Sequence, residues 1–270
     1  MNGLVKQFGP LVAATLIALS FNAQAASILA AERAVEQKNY SAALEELKPL
    51  VRDGDAEALY LLGVLTRDGL GKTADKVEAM RLFESAARQG HLESVNALRA
   101  IKNEEYKVEF DSLLADAEGG QARAQNRIGE MYEYGQGVER NLENAFEWYS
   151  KAAKQGLLAA VHNLARAYNF GTGTEIDYQQ AEVLYREAAA QGYADSMFFL
   201  GTLYATKNGN EKQTDPDQLA YAWMNAASER GNQTAGVIKQ RLLMKLDDTG
   251  RSEAESLAAE FVATYVTPFK

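Results

Sequence analysis

The chain has no cysteine, two histidines and four prolines among its 270 residues. Without thiols it can form no disulfide, thiolate nucleophile, cysteine-ligated zinc site, iron–sulfur centre or lipid-modified N-terminal cysteine. Two histidines leave little material for an imidazole-based metal site. Positive charge is also short: 28 Lys and Arg stand against 37 Asp and Glu, a formal charge of -9. A surface of that sign does not neutralise phosphates, which argues against nucleic acid as the main ligand. Hydrophobic residues make up 47% and aromatics 9% of the chain, ample for a packed core and too much for a disordered polymer.

The one long apolar run, Leu11 to Phe21, follows Lys6 and is about half of the roughly 20 residues a membrane helix requires. It ends in Asn22-Ala23-Gln24-Ala25, a small-x-small pattern. These features predict a secretory signal peptide over residues 1–25, cut after Ala25, and export to a bacterial periplasm or beyond. The mature chain, 26–270, contains no membrane span by the same length criterion. Its stability must come from apolar packing rather than disulfides, and its length suffices for that.

Self-similarity governs the rest. Phe83-Glu84-Ser85-Ala86-Ala87-Arg88-Gln89-Gly90 is echoed by Tyr149-Ser150-Lys151-Ala152-Ala153-Lys154-Gln155-Gly156 and by Tyr185-Arg186-Glu187-Ala188-Ala189-Ala190-Gln191-Gly192. Gly54 to Gly90, Gly120 to Gly156 and Gly156 to Gly192 are each 36 residues, whereas Gly90 to Gly120 is 30. A period of this size means stacked supersecondary units. Each full copy opens with Ala, then Leu-Gly, then Tyr at i, i+4, i+5 and i+8, one face of a helix. Examples are Ala124, Ile128-Gly129 and Tyr132, and Ala160, Leu164-Ala165 and Tyr168. The small residue beside the Leu lets a neighbouring helix come close. A glycine turn follows (Gly69/Gly71, Gly135/Gly137, Gly171/Gly173), and a second helix starts at Asp75, Asn141 or Asp177, with Asn39 in the same place in the first copy. On that helix Ala79, Ala145, Ala181 and Ala220 precede Phe83, Tyr149, Tyr185 and Met224 by four, a pattern of gaps and knobs for helix packing.

These observations predict an all-α, right-handed superhelical solenoid of about seven antiparallel helix pairs. The domain map is a leader at 1–25 and one repeat domain at 26–270. Within it the clearest repeats are 56–90, 121–156, 157–192 and 193–231, and the degenerate ones are 27–54, 92–120 and 232–266. The segment from Asn126 to Val138, continuing through Ala145-Phe146-Glu147-Trp148-Tyr149 to Gly156, resembles the Sel-1-like repeat, a relative of the tetratricopeptide repeat. The fourth copy departs from it at Lys207, where a Gly is usual, and 92–120 lacks the glycine turn. The resemblance implies a solenoid that acts as an adaptor in protein complexes, and it supplies no fixed active site and no cofactor.

Other motifs read as parts of the array. Gly69-Leu70-Gly71-Lys72-Thr73 has Thr66 where a phosphate-binding loop needs its first Gly, and it occupies the repeat turn. His91 and His162 occupy slots that vary between copies, which marks them as surface residues rather than ligands. The polar stretch 208–217 lacks the spacing and terminal Glu of a calcium loop. Trp148 and Trp223 recur at one repeat slot and read as core. No Gly-x-Ser-x-Gly elbow is present, and we assign no catalytic residue and no metal site. By analogy with the family, first helices line the concave face. Removal of the core slots leaves Arg127, Glu130 and Tyr134, then Asn163, Arg166 and Phe170, then Phe199 and Thr202 as candidate partner contacts, an aromatic and arginine composition typical of interfaces. The expected function is a non-catalytic scaffold for a protein or peptide partner. The alternative is a protein that binds or hydrolyses cell-wall glycan.

Overall fold

A computed structural model describes residues 27–269; the leader assigned to 1–25 lies outside them. Among the described residues all regular structure is helical. Helix α1 covers 27–36. It is followed by α2 (Tyr40–Arg52), α3 (Ala56–Asp68), α4 (Lys76–Ala87), α5 (Leu92–Glu118), α6 (Ala122–Tyr134), α7 (Leu142–Ala153) and α8 (Leu158–Phe170). The remaining helices are α9 (Tyr178–Ala189), α10 (Ala194–Ala205), α11 (Pro216–Glu229), α12 (Gln233–Leu243) and α13 (Asp248–Phe261), with a π turn and a 3-10 turn continuing to Phe269. The fold is an α-solenoid of stacked helix pairs. It divides into two compact units, one ending at Asn103 and one beginning at Glu104.

Local chemistry starts and stops these helices where the repeat places them. Asn39, Asp75, Asn141 and Asp177 each accept a backbone N–H three residues on, at 2.9–3.3 Å, which satisfies an otherwise orphaned donor. Gly69, Gly135 and Gly171 end α3, α6 and α8 at φ +66° to +68°. In the fourth copy Lys207 adopts φ +61° in the same place, so a lysine is held in a left-handed conformation that costs an L-residue about 1–2 kcal/mol.

The knob slots are core throughout. Ala79, Ala145, Ala181 and Ala220 are fully buried, as are Phe83 and Tyr185, and Tyr149 and Met224 are 1% exposed. The small first-helix residues face these knobs within their own pair. A Cβ on Gly63 would stand 2.5 Å from Phe83, one on Gly129 2.7 Å from Tyr149, and one on Gly201 2.8 Å from Met224. Contact between successive copies falls instead to the second turn glycine. A Cβ on Gly71, Gly137 or Gly173 would meet Tyr40, Tyr106 or Leu142, in each case 31 residues upstream.

One expected pair is absent. Within 92–120, Leu92–Glu118 form a single 27-residue helix, α5, so among the described residues the array has six pairs and one long helix. The copy is six residues short, 30 against 36, and contains no Gly or Pro between His91 and Glu118. Nothing there can turn the chain, and helix formers carry it straight on. Its early residues Ala97 and Ile101 pack with Ala79 and Phe83 in the first unit. Its later residues Phe110 and Ala117 pack with Ile128 and Met131 in the second.

Candidate partner-binding face

The second unit brings the candidate residues of α6 and α8 into one polar ladder. Arg127 donates through Nε and Nη2 to the two carboxylate oxygens of Glu109 on α5, at 2.7 and 3.0 Å. It also reaches Glu130 at 3.3 Å and Gln136 at 3.0 Å. Asn126 donates to Glu130 at 2.8 Å, and Asn163 donates across the copies to Asn126 at 3.0 Å. Arg166 completes the run through Asn163 and the Glu133 carboxylate, the latter at 3.0 Å. Glu133, 8% exposed, accepts a further bond from the Tyr149 hydroxyl at 2.6 Å.

The electrostatics follow from this geometry. The hydrogen bonds that Arg127 donates to Glu109 raise its pKa, against the opposing effect of burial. Burial alone would lower that of Arg166, but Glu133 and Tyr134 hold it above its ordinary value. Burial, then the Glu133 carboxylate, pushes the Tyr149 phenol far above its usual range. Both guanidinium groups are therefore neutralised by the protein's own carboxylates. They hold the face together, and an incoming carboxylate would have to displace Glu109 or Glu133.

Tyr134 and Phe170 are different. They are 57% and 56% exposed, occupy equivalent positions at the last residue of α6 and of α8, and cap the ladder with apolar surface. Phe199 is half-buried. Its ring lies 6.0 Å from Phe170, stacks on Tyr185 at 5.6 Å and meets His162 at 5.3 Å. The Thr202 hydroxyl donates to the Phe198 carbonyl at 3.1 Å. Of the eight candidates, two stand out from the surface and six are partly enclosed.

The structure corrects several sequence expectations. His162 is 6% exposed, boxed by Tyr185, Tyr193 and Phe199, with Nδ1 3.0 Å from the Ser196 hydroxyl. Burial, with some help from the charge of Arg166, lowers its pKa to about 4. Trp223 is fully buried as expected; Trp148 is half-buried, with the Lys151 ammonium 4.0 Å above its ring. Glu109, Asn126, Glu133 and Tyr149 were not legible as site residues. The available signal was a polar residue, Glu133 or Asn169, recurring between core slots of a first helix.

Two other polar clusters are structural. Glu57, His91 and Ser94 form a chain with the composition of a hydrolase triad, with His91 3.0 Å from Glu57 and 3.1 Å from the Ser94 hydroxyl. Ser94 is fully buried, and His91 Nδ1 already accepts the Ser94 backbone N–H at 3.2 Å, which leaves that nitrogen no lone pair for a base. The chain caps α5. On α9, Glu182 accepts from the Tyr204 hydroxyl, Arg186 at 2.9 Å and the Asn210 N–H at 2.6 Å. Burial alone would raise this carboxyl, but those donors hold it below its ordinary pKa. They also tie the long turn after α10 to the array. Among the described residues no group of three or more His, Cys, Asp or Glu is arranged to hold a metal ion.

A stack of helix hairpins with aromatic knobs, glycine turns and a continuous side-chain face defines a helical-repeat protein. A profile of the Sel1 repeat matches residues 56–91, 122–157, 158–193 and 194–232, more than half of the chain, and the chain belongs to that family. A search of curated proteins gave no match. Among solved structures, the chain is similar to c5321, a protective antigen present in uropathogenic Escherichia coli strains and displaying an SLR fold. The identity is 26% over 85% of this chain and 50% of that one, with a TM-score of 0.54; this chain thus spans half of that protein. It also matches a Sel1 repeat protein from Oxalobacter formigenes, with 22% identity over 86% of this chain and 96% of that one and a TM-score of 0.46. A third match is the immunity protein Pa5087 from Pseudomonas aeruginosa, with 18% identity over 83% and 73% and a TM-score of 0.34.

Proposed function

We propose that the mature chain, 26–270, is an exported, non-catalytic scaffold that holds a protein or peptide partner on the face formed by α6, α8 and α10. The observation that carries this reading is the pair Tyr134 and Phe170, equivalent aromatics more than half exposed above a ladder that is otherwise internally satisfied. Exposed aromatics over a preorganised polar floor have the composition of interface hot spots, and the ladder fixes them with little further loss of freedom on binding. Export rests on the leader pattern. No helix among the described residues is long and apolar enough to cross a membrane.

The test is in-cell photocrosslinking. A photoreactive phenylalanine at Tyr134 or Phe170 is expected to trap one discrete protein, and the same group at Val183, equally exposed on α9, is expected not to. Identical adducts at all three positions, or none, would end the partner-face reading, and adducts to cell-wall material alone would favour the glycan alternative. N-terminal sequencing of the protein from the envelope fraction should begin at Ala26; an intact Met1 would refute the cleavage.

A further inference from the structure

A groove in the first unit is separate from that face. Leu44, Leu47 and Val51 fall at i, i+3 and i+7 on α2 and so share one stripe, in which Leu44 and Val51 are half-buried and the fully buried Leu47 forms the floor between them. With Leu62 of α3 they line a cleft of about 430 Å3. The other three lining residues are all cationic: Lys48, Arg52 and Lys72. No carboxylate among the described residues lines the cleft, although the chain as a whole carries -9. Lys48 pairs with Glu45, and Arg52 with Asp53 at 3.4 Å, through side chains that are all 64–79% exposed. Such pairs are worth about 0–1 kcal/mol, and a ligand carboxylate can exchange for them at little cost.

We propose that this groove binds a linear anionic amphiphile, with its acyl tail along the α2 stripe and its carboxylate among Lys48, Arg52 and Lys72. The dimensions select this class over a partner helix. Leu44 to Val51 spans seven residues, about 10 Å at the helical rise, which is the reach of a medium-length acyl chain and barely two turns of a docked helix. The volume lies within the roughly 300–1,000 Å3 usual for small-molecule sites. Apolar walls with a few polar groups at one edge give such a ligand a fixed orientation, and the sign of the rim selects a carboxylate over an amine or alcohol.

Titration calorimetry of the full-length chain with decanoate, decanol and decylammonium, each below its micelle concentration, tests the assignment. Decanoate is expected to bind one per chain and at least tenfold more tightly than decanol, with decylammonium weakest. Lys48→Ala/Arg52→Ala/Lys72→Ala, which alters only exposed side chains, should bring decanoate down to the affinity of decanol and leave decanol unchanged. Val51→Asp, at the half-buried edge of the stripe, should weaken both. Equal binding of decanoate and decylammonium, an unaffected triple variant, or no decanoate binding would each overturn the proposal.

Discussion

Gly129 tests the packing logic of the array most directly. A Cβ at this position would lie 2.7 Å from both Cδ1 and Cε1 of Tyr149 and 3.3 Å from the Ala145 carbonyl. The ring cannot swing aside, because it is 1% exposed and its hydroxyl is bonded to buried Glu133. The next copy shows how far the slot can relax: Ala165 stands there with Tyr185, both fully buried, so a single Cβ fits once the helices stand a few tenths of an ångström further apart. Gly129→Ala should therefore lie within about 1 kcal/mol of the parent, the strain being offset by the roughly 1 kcal/mol of helix propensity that Ala gains over Gly. Gly129→Val adds two γ-carbons with little propensity gain, and overpacking of this kind costs about 1–3 kcal/mol. The expected order is parent near Ala, with Val lower by about 2 kcal/mol. Urea titration followed by Trp148 and Trp223 fluorescence, both in the same unit as Gly129, reads the shift in midpoint at constant slope. Tyr149→Leu should relieve much of the Val penalty, because the two changes meet at one contact. A Val variant as stable as the Ala variant would refute the assignment of Gly129 as a closely packed slot.

Arg166→Ala should destabilise by about 2–3 kcal/mol, because it strands a buried Glu133 carboxylate; Glu133→Gln in the same background should recover part of the loss in thermal melts, and an unchanged melting temperature would sink the ladder's structural role. Lys207→Gly should stabilise by about 1 kcal/mol by releasing left-handed strain, a rise of about 2–4 °C. Gly173→Ala should cost more than Gly171→Ala, since its Cβ would meet the Leu142 carbonyl at 2.0 Å while the nearest atom to a Cβ on Gly171 is 3.0 Å away; equal losses would contradict the inter-copy contact. His162 titrates near 4 when folded and near 6.5 when unfolded, so the unfolded state binds more protons between those values and stability rises with pH through that window. Acidification from pH 6.5 to 4 should therefore remove about 3 kcal/mol through this residue, and the difference between parent and His162→Asn should flatten above pH 7. A difference that does not vary with pH would refute the buried neutral imidazole.

Much of the fold was legible because its signals are local and repeated. An Asn or Asp cap, a Gly at positive φ, and an Ala four residues before an aromatic each act within one or two helical turns, so three copies, 56–90, 121–156 and 157–192, read the same way. The enclosure of His162 was not legible, because it depends on Tyr193 and Phe199 in the following copy. The ladder was half-legible. Spacing placed Arg127 and Arg166 on the right helices, but their partners Glu109 and Glu133 sit on α5 and in an apparent core slot, and no local rule pairs residues across copies. The arginines hold the floor of the face through the protein's own carboxylates, and Tyr134 and Phe170 stay exposed above it.

The long helix α5 shows which contacts set the register of the array. Loss of the turn removes six residues and with them the hairpin, yet Gly137 still meets the backbone at Tyr106, 31 residues upstream, as Gly173 meets Leu142 and Gly71 meets Tyr40. In the two complete cases the upstream residue opens a second helix; in α5 it lies mid-helix. The position that receives the following turn is thus kept even where no helix begins. The pairing of first and second helices, governed by Gly63, Gly129 and Gly201 against their knobs, is a separate device that one copy can lose. In these copies a glycine turn comes close to the helix one copy back, at Gly71, Gly137 and Gly173, while within a hairpin a small residue lies beneath a large knob, at Gly63, Gly129 and Gly201. Because these two contacts fall on different glycines, a copy can lose its turn, as 92–120 has, while Gly137 still seats the following turn on its backbone.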